Sequence, residues 1–202
     1  VRAWSPVSNL SLPKAIQSAE NFRRLTNPEA KNLLEGDINK VISGTVEWFI
    51  EDTRQGSSIR ARCKVEISNS LGERLYLDGR IVLDRPWQSH WILTWGNKAH
   101  HEKPATIRRL DLRDDHRNPD GQFWDRATHK HLWSVADKNR VAYTPTDIPH
   151  DPSVPPNAPD DYRAIFEAFA KEVGINFASD YRWTDPPLST PAPMTTTLWD
   201  VP

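Results

Sequence analysis

Between Asp111 and Trp133 the chain concentrates side chains that move protons or hold cations. The stretch reads Leu110-Asp111-Leu112-Arg113-Asp114-Asp115-His116-Arg117-Asn118-Pro119-Asp120-Gly121 and resumes as Thr128-His129-Lys130-His131-Leu132-Trp133. Imidazole titrates near neutrality and ligates divalent metals through a bare nitrogen. Asn-Pro-Asp-Gly is turn chemistry, because Pro fixes φ and Gly permits φ > 0. It ends one strand and returns the chain into the next. On a strand, His129 and His131 are two apart and share a face. If residues 128–133 pair with residues 106–113, His116 approaches both.

Three imidazoles beside Asp111, Asp115 and Asp120 support two chemistries. In the first, His116, His129 and His131 are acid, base and phosphate-orienting groups, with Asp111 or Asp120 setting a tautomer. In the second they ligate a divalent metal and the protein is a metal-dependent hydrolase. The metal-free reading comes first, since no glutamate follows the His-x-His pair at the spacing of a cupin-type metal site, and no cofactor is expected. A plainer reading stands beside both: Asp120 holds the turn, and His129 and His131 are polar residues on a wet face.

The run Arg109-Leu110-Asp111, His116-x-Asn118-Pro119-Asp120-Gly121, His129-x-His131, Asp137-Lys138 and Ala142-Tyr143 resembles an uncharacterised bacterial domain family. That family shows Arg-Leu-Asp, a His-x-Asn-Pro-Asp-Gly turn, a His-x-His-x-Tyr strand, an Asp-Lys-x-Ala segment and a terminal helix ending near Asn-Ile. The order of elements is similar over residues 25–176, the motif only over residues 109–143. Trp133 stands in place of the family's Tyr, and Arg140 and Val141 lengthen the Asp-Lys-x-Ala spacing. The resemblance implies a small prophage or toxin–antitoxin protein and carries no reaction. With it, Arg109, Asn118, Trp133 and Lys138 join the site as binding candidates. The partners expected are RNA or a nucleotide for an enzyme, or a small protein if the same stretch is a non-catalytic binding module.

Composition narrows the setting. A net charge of −1, from 26 basic and 27 acidic residues, carries no whole-chain signal for nucleic acid or membrane. The one cysteine, Cys63, excludes an intrachain disulfide and a multi-cysteine zinc site, and fits a reducing, cytoplasmic compartment. No apolar run reaches transmembrane length, and residues 1–10 have no signal-peptide core. Hydrophobic residues make up only 37% of the chain, so a core over part of the length is expected, with nine Trp adding area.

The elements that must position the site read as an α+β domain over residues 1–176 with a Pro/Thr-rich tail over 177–202. Two helices open it, over residues 13–24 and from a Thr26 or Asn27 cap, with Pro28 in the first turn and Glu29 at capping-box spacing from Thr26, to Gly36. Strands follow at 41–50, 58–68, 75–83, 90–95, 106–113 and 128–133. The second is the clearest: Ile59, Ala61, Cys63, Val65 and Ile67 alternate with Arg60, Arg62, Lys64 and Glu66. One-sided strands in sequence predict a mainly antiparallel sheet of about six strands. A Pro-rich linker leads to a helix capped by Asp160 or Asp161 and ended by Gly174. Its stripe of Tyr162, Ile165, Phe166, Phe169 and Val173 should cover the sheet.

Smaller candidates are a basic face of Arg60, Arg62, Lys64, Arg80 and Arg108, and a stacking platform of Trp87, Trp91, Trp95, Trp124 and Trp133. The expectations for these are a balanced solvated face and core or rim packing. Cys63 reads as a small buried hydrophobe, and His100 and His101 as solvated.

Overall fold

The computed structural model describes residues 22–51, 59–148 and 159–188. In chain order these form α1 (Asn27–Glu35), β1 (Lys40–Ile42), β2 (Thr45–Val46), β3 (Trp48–Glu51), β4 (Arg60–Asn69), β5 (Leu75–Val82), β6 (Arg85–Trp95), a 3-10 turn (Lys98–His100), β7 (Ala105–Arg117), β8 (Phe123–Ser134), β9 (Lys138–Tyr143), α2 (Pro159–Glu172), β10 (Ile175–Phe177) and β11 (Arg182–Trp183).

Nine strands make one sheet in the order β10-β1-β4-β5-β6-β7-β8-β9, with β3 also paired to β4. The run from β4 to β9 is antiparallel throughout, whereas β10 joins β1 in parallel and β11 pairs in parallel with β2. Alternation sets which face is dry. On β4, Ala61, Cys63, Val65 and Ile67 are buried while Lys64 and Glu66 are exposed. Trp91, Leu93 and Trp95 continue that buried face on β6. Gly79 sits opposite both Cys63 and Trp91. A Cβ there would come within 2.6 Å of the Trp91 ring and 2.8 Å of the Cys63 sulfur.

Helix α2 covers this face with Tyr162, Phe166 and Phe169, and Val173 follows in the turn after it, all buried. The Phe166 ring meets Trp91 edge-on at 5.8 Å. Each such buried side chain stabilises the layer by about 1.5–3 kcal/mol. Gly174, at φ 69°, stops the helix and turns the chain into β10. Helix α1 starts at the expected capping box, with Thr26 N–H donating to Glu29 Oε2 at 2.8 Å. At its other end the buried Lys40 ammonium donates to the Leu33 carbonyl at 2.6 Å, which satisfies a helix-end acceptor.

The expected α+β arrangement of about six strands with several helices is overturned. The chain is mainly sheet, nine strands of it in one mixed sheet, with two α-helices among the described residues. The expected strand at 41–50 is broken at Gly44 (φ 72°) and divides into β1, β2 and β3. Strand β9 is charged and lies at the sheet edge, while β10 and β11 are too short to show a period. The helix expected over residues 13–24 lies almost wholly outside the described residues. The boundary placed at residue 176 falls inside β10, and the chain beyond packs on the domain: the Trp183 ring lies 5.7 Å from Trp48 and 5.3 Å from Phe166. Residues 189–202 of the expected tail lie outside the described residues. No helix among those described is long and apolar enough to cross a membrane.

Candidate metal centre

The β7–β8 hairpin carries the site. Its register sets Asp111 opposite His129 and Arg109 opposite His131, and the β6–β7 register sets His90 opposite Asp111. Directly opposed residues share a face, so these five lie on the face away from α2. Strict alternation would send His116 to the other face, because it stands an odd number of residues from Asp111. Two β-bulges change that. Strand β7 holds one extra residue between Asp111 and Asp114, and β8 holds one between Trp124 and Ala127. Arg113 (φ 53°) and Arg126 (φ 46°) take left-handed conformations there, which cost a non-glycine residue about 1–2 kcal/mol each. The Arg126 N–H donates to Asp115 Oδ1 at 2.8 Å and supports the second bulge. Asp114, His116 and Trp124 thereby arrive on the face of Asp111.

The three imidazoles converge. Ring centroids lie 4.6 Å apart for His116 and His131, 4.9 Å for His129 and His131, and 5.4 Å for His116 and His129. Trp124 closes one side at 5.7 Å from His129. His129, His131 and Asp111 are 0–1% exposed, and His116 is half-buried.

Acceptors around each ring assign its hydrogens. His129 Nδ1 lies 2.8 Å from the Ala127 carbonyl oxygen, and His131 Nδ1 lies 2.7 Å from that of Asn139. His116 Nε2 lies 3.0 Å from the Arg140 carbonyl oxygen and 3.1 Å from Asn118 Oδ1. Only an N–H satisfies a carbonyl, so these nitrogens carry hydrogen. His131 Nε2 lies 3.0 Å from Asp111 Oδ2. His129 Nε2 lies 3.4 Å from the same oxygen, but it is a buried nitrogen with no hydrogen-bond partner.

Asp111 is the charge at the centre. Arg109 donates from Nε to Oδ1 at 2.6 Å and sets a second nitrogen 2.6 Å from Oδ2, while His90 Nδ1 lies 2.9 Å from Oδ1. Burial opposes ionisation of this carboxyl, but His129, His131, His90 and Arg109 outweigh it and hold its pKa well below the usual carboxylate range. Burial, with help from His131 and His129, lowers the pKa of His116 against the pull of the Arg140 carbonyl. A neutral His116 leaves its Nδ1 bare.

The other sequence candidates part company. Asn118 is buried and grips Ala142, accepting its N–H at 2.7 Å and donating to its carbonyl at 3.0 Å. It clamps the turn to β9 and steadies His116. Asp120 stays exposed in the turn, accepting the Gln122 N–H at 3.0 Å, and does not join the cluster. Trp133 and Lys138 also lie outside it. They line a separate cavity of about 270 Å³ with Arg24, Leu25 and Lys103.

The basic face is balanced: Arg62 donates to Asp78 at 3.0 Å, Arg80 bonds the same carboxylate, and Arg108 faces Glu172 on the helix side. Trp91, Trp95 and Trp124 are buried, so no stacking platform forms. Burial pushes the Cys63 thiol up to about 12, which leaves no thiolate at neutral pH.

Sequence reasoning missed His90, Asp114 and Lys130. The first two are marked by cross-strand register, which spacing along one strand does not show. Lys130, between the two histidines, points to the helix face and is 1% exposed, with Nζ 2.6 Å from both Asp147 Oδ2 and Glu172 Oε2. Through Glu172 it ties α2 to the back of the site.

Comparison with protein-family models, with curated proteins and with solved structures returns no match.

Proposed function

We propose that His116, His129 and His131, with Asp111 beside them, hold one zinc-type divalent metal, and that the protein works through metal-dependent hydrolytic chemistry. The carrying observation is the sorting of the ring nitrogens. Each imidazole spends one N–H on a backbone carbonyl, the arrangement that orients metal-ligating histidines. The buried Nε2 of His129 is left without a partner.

Distances support the same reading. One nitrogen from each ring lies within 4.8 Å of the other two, so all three fall within about 2.8 Å of a common point. Zinc–imidazole bonds are about 2.0–2.1 Å, and shifts under about 1 Å close the difference. Asp111 Oδ2 stands 3.0 Å and 3.4 Å from the two Nε2 atoms, near the roughly 3.3 Å between ligands that such bonds give in a tetrahedron. A metal held there polarises a substrate oxygen and ionises water near neutral pH. Within the chain, Arg109 keeps Asp111 anionic, Trp124 excludes water on one side, and half-buried His116 marks the open approach.

The test is metal content of the purified protein and of His129→Ala, with folding checked by circular dichroism. About one equivalent of zinc, absent from the variant, is expected. A wild-type protein that binds no zinc, cobalt or manganese at micromolar concentration ends the reading.

A metal-free reading, acting on RNA or a nucleotide, is favoured by one observation: His131 bridges the Asn139 carbonyl and Asp111 Oδ2, as an imidazolium–carboxylate pair would. His129 and His131 are too buried to meet a phosphodiester, so His116 alone would face the substrate. Chelator-resistant RNA cleavage abolished in His116→Ala would favour it over the metal.

A further inference from the structure

We infer that a second cation subsite lies on the solvent side of Asp111, formed by His90 Nδ1, Asp111 Oδ1 and Asp114 Oδ2, so that the Asp111 carboxylate bridges two metals. This rests on the inner site proposed above. One ligand atom each from His90, Asp111 and Asp114 lies within 4.8 Å of the others. His90 Nδ1 is 2.9 Å from Asp111 Oδ1 and 3.8 Å from Asp114 Oδ2. Asp111 therefore divides its oxygens, Oδ1 toward His90 and Oδ2 toward His129 and His131. A carboxylate shared in this way suits paired cations about 3.5–4 Å apart.

Three further features fit. The Arg113 bulge puts Asp114 on this face. Gln88 Nε2 donates to Asp114 Oδ1 at 2.7 Å, which pins that oxygen and leaves Oδ2 turned toward His90. Exposure rises outward, from 1% for the Asp111 side chain to 17% for His90 and 27% for Asp114, so the outer position opens to a ligand.

Arg109 bears on the same place. Its Nε donates to Asp111 Oδ1 at 2.6 Å, the oxygen assigned to the outer cation, and its second nitrogen lies 2.6 Å from Asp111 Oδ2 and 3.9 Å from Asp114 Oδ2, so it supplies the positive charge there. It is about a third exposed, and an ion in the outer subsite has to displace it from Asp111. Displacing it makes the outer subsite the weaker of the two. Two carboxylate oxygens and one imidazole suit Mn²⁺ or Zn²⁺. The ligand class for the pair is a phosphate group with one oxygen on each cation, and the displaced Arg109 remains close enough to hold a third.

Titration with Mn²⁺ alone, followed by calorimetry and electron paramagnetic resonance, tests this. The wild type should take up two equivalents and give the spectrum of an exchange-coupled pair. Asp114→Asn and, as an independent variant, His90→Asn should keep one equivalent and lose the coupling. Arg109→Met should bind the outer ion about tenfold more tightly. One equivalent in the wild type, or two retained in Asp114→Asn, overturns the outer subsite and leaves the inner one standing. No equivalents in the wild type overturns both.

Discussion

His131 Nε2 lies 3.0 Å from Asp111 Oδ2, at a point where each residue is 1% exposed. A buried carboxylate is tolerated only where donors surround it, and here the donors come from three strands: His90 from β6, Arg109 from β7, and His131 from β8. Asp111→Asn removes the charge these donors converge on and leaves Arg109 unmatched. The variant should lose about 3–5 kcal/mol of unfolding free energy in chelator, read from urea denaturation at neutral pH. A loss below about 1 kcal/mol would mean the network is solvated and contributes little.

Asn118 acts on the backbone of Ala142 and on the His116 ring. It makes both hydrogen bonds of the Ala142 peptide and faces His116 Nε2. Asn118→Ala should cost about 1–3 kcal/mol, since Ala142 is left with unpaired buried groups. The His116 ring should also change its NMR shifts, because one of its two acceptors is gone. Unchanged His116 resonances in a folded variant would show that the turn does not hold the ring.

Gly79 has no room for a side chain. A methyl group would meet the Trp91 ring and the Cys63 sulfur at under 3 Å, and α2 blocks retreat of the ring through Phe166. Gly79→Ala should destabilise by about 1–3 kcal/mol or more. Pairing it with Cys63→Ala should recover part of that loss but not all. Full recovery would place the clash at sulfur rather than at Trp91.

Alkaline pH should weaken the fold. Burial raises the Cys63 thiol from 9.0 to about 12, and raises the Tyr162 and Tyr181 phenols as well. The folded chain keeps these protons after the unfolded chain has lost them. The stabilisation is therefore complete below about pH 8.5 and falls as pH climbs toward 12, at up to about 1.4 kcal/mol per pH unit from Cys63. Urea midpoints at pH 8 and pH 10.5 measure the slope, and Cys63→Ala should flatten it. An equal slope in that variant would assign the effect to the phenols.

The parts legible in sequence are those whose information is local. Alternation over residues 58–68 set Ile59, Ala61, Cys63, Val65 and Ile67 on one face; the last four are buried, whereas Ile59, just before β4, is 50% exposed. The stripe of the helix ended by Gly174 marked Tyr162, Phe166, Phe169 and Val173 in the same way. Asn-Pro-Asp-Gly marked the hairpin, and the hairpin brought His116, His129 and His131 to one place. The illegible parts depend on partners far along the chain. β10 is a strand only because β1 lies beside it, and Lys130 can be buried only because Asp147 and Glu172 meet it. Asp120 was placed by proximity in sequence and Trp133 by resemblance; the turn keeps Asp120 outside the cluster, and Trp133 lines the separate cavity.

The bulges at Arg113 and Arg126 have a consequence for ancestry. A looped-out residue is an insertion that leaves the faces of the flanking positions unchanged. A cousin lacking either arginine would straighten its ladder and still present aspartate and imidazoles together. Kinship of this constellation is then written in which residues oppose one another across the hairpin. A search demanding a constant gap between Asp111 and His116 would pass over such cousins.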